Sequence, residues 1–226
     1  MSVRTTYEDD VLLAAIDDGK ANALSFDVLG ALRSAVATAS AERKSLVISG
    51  RTGYFCAGFD LSVIKGPEPE RNAALVSEGR GLYRDILDAP VAVVVACTGH
   101  ALAAGALILL AADYRIGQSG DYKIGLNEVA IGLSLPEFAT VLARHRIDPL
   151  HLTPAALLSE IYSPDRARLA GYLDVVDDDP LASALSMASR LGNLPNEAFA
   201  TTKRRLRAKL CSELDEIGTD PHAALS

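Results

Sequence analysis

The chain has 226 residues, 49% of them apolar and 23% charged, which excludes intrinsic disorder and suits one large folded domain. With 22 Lys and Arg against 29 Asp and Glu the net charge is −7, which argues against a general nucleic-acid binder and leaves room only for a local basic patch. The three cysteines, Cys56, Cys97 and Cys211, are too few and too scattered for a disulfide framework or a zinc site.

Residues 1–10 carry Glu8, Asp9 and Asp10 and no apolar run, so no secretory leader is expected and the expected compartment is cytoplasmic. Residues 11–16 read as a strand. Ser25 can cap a helix over 25–39 whose Phe26, Leu29, Leu32 and Val36 share one face. Residues 45–50 form a short buried strand, followed by a loop over 51–59. Residues 66–70 are a loop or a helix entrance, and 71–87 an amphipathic helix. Residues 90–112 carry no formal charge and are long enough to cross a bilayer. That run changes character midway. Residues 91–96 are rich in valine, as a strand buried on both faces would be. Thr98-Gly99-His100 breaks it, and 101–112 is Ala/Leu-rich and favours helix. Both flanks, Asp88 and Asp113, are acidic, so the basic anchors of a membrane segment are missing. Strand, tight turn and buried helix is the better parse. A short extended segment follows at 122–128, then a loop at 132–136 leading into a helix from Glu137. A helix ends at 167–171, a strand follows at 174–176, and helices occupy 181–191 and 197–210. Strands alternating with helices predict an α/β fold with parallel strands. The strand, glycine loop and helix pattern recurs at Leu46 and Val91, with a related strand and loop near Ile124.

Two glycine-bearing turns follow buried strands: Phe55-Cys56-Ala57-Gly58-Phe59-Asp60-Leu61 and Gly99-His100-Ala101-Leu102-Ala103-Ala104-Gly105. Small residues allow close approach of backbone to ligand, and a helix N-terminus leaves N–H groups unpaired. Two such N–H groups aimed at one point form an oxyanion hole. Taken singly, either turn is also compatible with mere tight packing.

In this order the segments resemble the crotonase superfamily, the enoyl-CoA hydratases and isomerases. The match rests on residues 55–61 and 99–107, on Ala-Ala-Asp-Tyr-Arg-Ile at 111–116, on Ile-Gly-Leu-Asn-Glu-Val at 124–129 and on Ala-Arg-Leu-Ala-Gly-Tyr-Leu-Asp-Val-Val at 167–176. It begins at the Lys20-Ala21-Asn22-Ala23-Leu24 entry. The resemblance implies a spiral of ββα units over residues 1–180. A helical region over 181–226 completes the same fold and assembles it into a homotrimer or a dimer of trimers. It implies an acyl-CoA thioester as substrate, no cofactor beyond the coenzyme A carried by that substrate, and neither a nucleic-acid nor a membrane partner.

Carried over by position, the oxyanion donors would be the N–H groups of Phe59 and Ala104. Ala103 and Ala104 replace two glycines of the commoner pattern. A donor survives that change where φ is negative, as at a helix N-terminus. Hydratases of the family hold water between two glutamates. The first of those positions is Leu107 here and the second is Glu128. One carboxylate is sufficient to move a proton from one carbon to another. The segment at 124–128 resembles the mitochondrial 3,2-enoyl-CoA isomerases, with which Pro136 also agrees. The expected activity is therefore a double-bond shift with Glu128 as catalytic residue. Hydration, other enolate chemistry and non-catalytic acyl-CoA binding are the alternatives. Lys20, Ala57, Gly58, Asp60, Leu61, Leu107, Phe199 and Lys203 are the expected substrate and coenzyme A contacts. Of these, Lys203 is chosen from the basic run 203–209 to reach the phosphates, and Phe199 to help close the acyl pocket. Asp60 and Asp113 are also read as caps or partners of a base, Glu137 as a helix N-terminal acid, and His100 as packing. His145, His151 and His222 show no metal-ligand spacing.

Overall fold

The computed structural model describes residues 2–217; His222 lies outside them. The elements in order are β1 (Val3–Glu8), β2 (Val11–Ile16), α1 (Phe26–Glu42), β3 (Leu46–Gly50), β4 (Gly53–Cys56), α2 (Leu61–Ile64), α3 (Pro69–Asp88), β5 (Val93–Cys97), β6 (Gly99–Leu102) and α4 (Ala104–Ala111). They continue with β7 (Tyr114–Gln118), β8 (Ile124–Gly125), a 3-10 turn (Val129–Ile131), α5 (Glu137–Arg146), α6 (Pro149–Ala156), α7 (Pro164–Ala170), β9 (Val175–Asp177), α8 (Pro180–Gly192) and α9 (Asn196–Glu216).

The strands form a six-stranded sheet in the order β1-β2-β3-β5-β7-β9 and a three-stranded sheet in the order β4-β6-β8. Every pairing is parallel except β1 with β2. Consecutive strands of each repeat therefore go one to the large sheet and the next to the small one. Thus β3-β4-α3, β5-β6-α4 and β7-β8-α5 are three turns of one ββα spiral; the recurrence at Leu46 and Val91 marks the first strands of two of them, whereas Ile124 is the second strand of the third, which opens at β7. Besides β6, which stands in place of the tight turn expected at 98–100, three strands lie where no strand is legible in the sequence. β1 is an edge strand whose residues Arg4, Thr5, Tyr7 and Glu8 face solvent. β4 is four residues long and lies in the loop expected at 51–59. β7 is interrupted by the charge of Arg115, which is buried and paired with Asp174 at 2.7 Å. Residues 101–102, expected as helix, extend β6 instead, and α4 starts at Ala104.

The uncharged run 90–112 is thus β5, β6 and α4. All eight residues of α4 are buried within the subunit, and among the described residues no helix is long and apolar enough to cross a membrane. One face of the large sheet packs against α1, α3 and α4 in the main core. The other face is covered by α8, whose Ala184 and Ala188 are fully buried with Leu185, Met187 and Leu191 packed alongside. The apolar side of 181–191 thus packs on the chain's own sheet.

Candidate active site

The two turns expected to carry the oxyanion donors sit side by side. Gly58 has φ +100°, a value that favours glycine. A Cβ added there would stand 2.9 Å from the Ala103 side chain and 3.4 Å from the Ala104 nitrogen. Leu24 fixes the first turn, since its N–H donates to Gly58 O and its carbonyl accepts the Asp60 N–H. Between those two bonds lies the Phe59 N–H, which donates to no protein acceptor among the described residues. The second turn is tied to β8 by the Ala103 N–H on Gly125 O at 2.9 Å. Ala104 is the first residue of α4, so its N–H is one of those a helix cannot use internally. The phenol of Tyr83 on α3, itself buried, donates to Ala104 O at 2.9 Å and holds this turn from behind.

The expectation for the Ala-Ala turn needs one correction. Ala104 has a helical backbone, but Ala103 has φ 50° and ψ −127°. This region suits glycine and costs a residue with a Cβ on the order of 1–3 kcal/mol. Packing of the Ala103 methyl against the first turn holds it there.

Both turns open onto a cavity of about 290 Å3 lined by Ala57, Phe59, Leu61, Ile64, Val76, Ala103, Leu107, Glu128 and Pro136, with Asn127 and Ser134 adding polar groups. At the small end of ligand pockets, it suits an acyl tail rather than a whole acyl-CoA. Glu128 precedes the 3-10 turn and is 9% exposed. Its Oε2 has no hydrogen-bond partner. Burial among apolar walls pushes the carboxyl up to about 7, with nearby backbone N–H groups pulling slightly the other way. No second Asp or Glu lines the cavity among the described residues. Leu107, one turn into α4, presents an apolar side chain to the cavity.

The structure brings Ala57, Gly58, Phe59, Leu61, Ala104, Leu107 and Glu128 together and separates the remaining expected contacts. Asp60 caps α2, accepting the Ser62 N–H at 2.9 Å and the Ser62 hydroxyl at 2.7 Å, and does not line the cavity. Lys20 is exposed one residue from Ala21, whose carbonyl accepts the Ala57 N–H. Lys203 is a correction. It is 6% exposed, and its ammonium donates to Val91 O at 3.0 Å and Asp113 Oδ2 at 2.7 Å. It binds α9 to the core and cannot reach a phosphate. Arg207, one turn on, donates to Asp113 Oδ1 at 2.6 Å and to Ala111 O at 2.9 Å. Phe199 packs near Lys203, with the ammonium 6.0 Å from the ring centre, and is not among the residues lining this cavity.

His100 Nδ1 accepts the Lys123 N–H at 2.9 Å, and its ring packs edge-on between Tyr54 and Tyr122, outside the cavity. Glu137 opens α5 and faces solvent. Cys56 and Cys97 are fully buried, and desolvation pushes both thiols up to about 12. Among the described residues no three His, Cys, Asp or Glu side chains gather as a metal site requires. The α3 residues behind the turns, Val76, Gly79 and Tyr83, are not singled out by the sequence, in which 71–87 shows only an amphipathic helix. Their spacing of three and four residues was the available signal.

Comparison with known proteins agrees with this geometry. The profile of the enoyl-CoA hydratase/isomerase family matches residues 6–219. An enoyl-CoA hydratase/isomerase family protein from Pseudomonas syringae is 35% identical, with a TM-score of 0.95 over 99% of this chain and 98% of that one. The enoyl-CoA hydratase EchA3 of Mycobacterium ulcerans is 33% identical, with a TM-score of 0.91 over 96% of both chains. The human mitochondrial enoyl-CoA delta isomerase 1 is 29% identical over 175 residues, which are 76% of this chain and 58% of that protein. The matched region is thus under two thirds of the human relative's length. With the ββα spiral, the paired turns and this family profile in one chain, the protein belongs to the enoyl-CoA hydratase/isomerase family of the crotonase superfamily.

Proposed function

We propose that the chain shifts a double bond in an enoyl-CoA thioester, with Glu128 as the only proton carrier. The observation behind this reading is the single buried carboxyl in an apolar cavity, beside two adjacent turns whose Phe59 and Ala104 N–H groups have no backbone acceptor among the described residues. The thioester oxygen would lie between the N–H groups of Phe59 and Ala104. Ionised Glu128 takes a proton from C2 of a 3-enoyl thioester. The electron pair moves onto the thioester oxygen, where the two N–H dipoles stabilise the enolate. The same carboxyl returns the proton at C4 as the double bond settles between C2 and C3. A carboxyl held near 7 suits both halves of that exchange, since it is neither too weak a base nor too weak an acid at neutral pH. Leu107 offers no second acceptor to fix and activate a water. Lys20 is the proposed cation for the coenzyme A moiety, because Lys203 is engaged by Asp113.

One observation favours hydration instead. Asn127 Oδ1 is buried and, like Glu128 Oε2, has no partner, and both residues line the cavity. Two such acceptors can hold a water between them. Assays with 3-enoyl-CoA and 2-enoyl-CoA of several chain lengths separate the readings. Isomerisation of the 3-enoyl substrates faster than hydration of the 2-enoyl ones is expected. Hydration without isomerisation would replace the isomerase reading, and tight acyl-CoA binding with neither reaction would make the chain a non-catalytic binder.

A further inference from the structure

Phe59 contributes to the site twice: its N–H is a proposed oxyanion donor, and its ring forms part of the cavity wall. The ring rests on α3 at Gly79, which is buried. A Cβ built on Gly79 would stand 2.4 Å from Phe59 Cζ and 2.5 Å from Cε1. Those distances lie far inside van der Waals contact, so the ring occupies the space that any side chain at 79 would need. Gly79 sits mid-helix, where glycine costs roughly 1 kcal/mol against alanine, and its backbone does not require positive φ. The helix therefore gains nothing locally from glycine here; the gain is the seat for the ring. Val76, one turn earlier, lines the same cavity.

We infer that Gly79 is a specificity-determining residue of the acyl cavity, acting through the Phe59 ring. Glycine lets the ring lie back against α3 and leaves the cavity its length. A methyl at 79 pushes the ring tip forward into the space for the acyl tail. The clash falls on the far end of a side chain that can rotate, so Gly79→Ala is expected to fold. The inference rests on the proposed acyl-CoA site but not on the reaction performed there.

The test is calorimetric binding of the saturated thioesters butanoyl-CoA, octanoyl-CoA and dodecanoyl-CoA to wild type, Gly79→Ala and Gly79→Ala/Phe59→Leu. For Gly79→Ala the affinity for the longest chain that wild type accepts should fall by about tenfold or more, the scale of one methylene misfit in an apolar pocket. Butanoyl-CoA should change by less than about twofold on the same reasoning. The double variant keeps the residue 59 N–H and removes the ring, and should restore the longer chain. An unchanged ratio between chain lengths would overturn the inference. So would a uniform loss at every length that Phe59→Leu does not restore, which is the mark of a purely structural role. Wild type that binds these thioesters without shifting a double bond removes the isomerase reading and leaves this test standing. Wild type that binds none of them overturns both.

Discussion

Glu128 and Asp113 are two carboxyls withdrawn from solvent near opposite ends of α4, and the chain treats them in opposite ways. Asp113 receives Lys203, Arg207 and the Val93 N–H at 2.6–2.8 Å. Glu128 keeps one oxygen without any partner and is surrounded by apolar walls. A buried charge with two cations holds the fold, because removing one member leaves the others desolvated and unpaired. A buried carboxyl without a cation can pass between its two protonation states, which is what proton transfer requires. The difference lies in the surroundings, since both residues offer the same functional group.

The comparison breaks first at Glu128. Glu128→Gln should lose about 10²–10⁴ in kcat, the range for a general acid–base group, while binding of a saturated acyl-CoA stays nearly intact. Full activity would remove Glu128 from the mechanism. Because burial raises this carboxyl to about 7, kcat/KM of the wild type should rise with pH through about 7. Stability moves the other way. The folded state holds the proton more tightly than the unfolded one, so the stabilisation present below about pH 4.5 is lost as pH climbs through 7. Glu128→Gln escapes that loss and should be more stable than wild type at pH 8 by up to about 3 kcal/mol, and equal to it near pH 4.5. Urea unfolding at the two pH values reads both signs.

Asp113 should answer in stability. Asp113→Asn leaves Lys203 and Arg207 buried without their carboxylate and should cost about 3–5 kcal/mol, seen as a lower urea midpoint. Loss of activity without loss of stability would instead place Asp113 in the chemistry. The smallest effect is expected at Ala103. Ala103→Gly relieves the backbone at φ 50° and should stabilise by about 1 kcal/mol, the strain released less the added freedom of the unfolded chain. A drop in the unfolding midpoint would mean that the methyl's packing outweighs the strain.

Glu128, Gly58 and Leu107 were legible because each sits in a short segment whose residue order carries the information. The first strands of two repeats, 45–50 and 91–96, are legible because they are apolar and bounded by glycine, whereas the ββα spiral follows only from the family resemblance, since the second strands β4 and β6 are short and carry no pattern of their own. Lys203 looks like a phosphate contact in sequence because a run of five cations over 203–209 does not say which way its helix faces. The signal was present one step further on. Lys203, Arg207, Leu210 and Leu214 are the buried residues of α9, spaced by four, three and four, so the two cations continue an apolar stripe. Their partner is Asp113, 90 residues away for Lys203, and no local pattern reports that distance. Gly79 and Tyr83 were invisible for a related reason. Their contacts, the Phe59 ring and Ala104 O, lie 20 and 21 residues from them in sequence and are made by packing between elements. The strain at Ala103 is a backbone angle set by β8 and the first turn together, not by its own neighbours.

The guanidinium of Arg207 on Ala111 O and Ala112 O bears on the timing of synthesis. A growing chain leaves the ribosome N-terminus first, so β5, β6 and α4 emerge long before residue 207. Until then Ala111 O lacks this partner, and Ala112 O has only water or Arg146, which reaches it at 2.9 Å. A nascent chain halted just before α9 already contains Glu128 and both turns. It has nonetheless not received the side chains that clamp the far end of the helix on whose first N–H the proposed chemistry depends. The candidate site is written in the first 140 residues, but its scaffold closes only when α9 arrives.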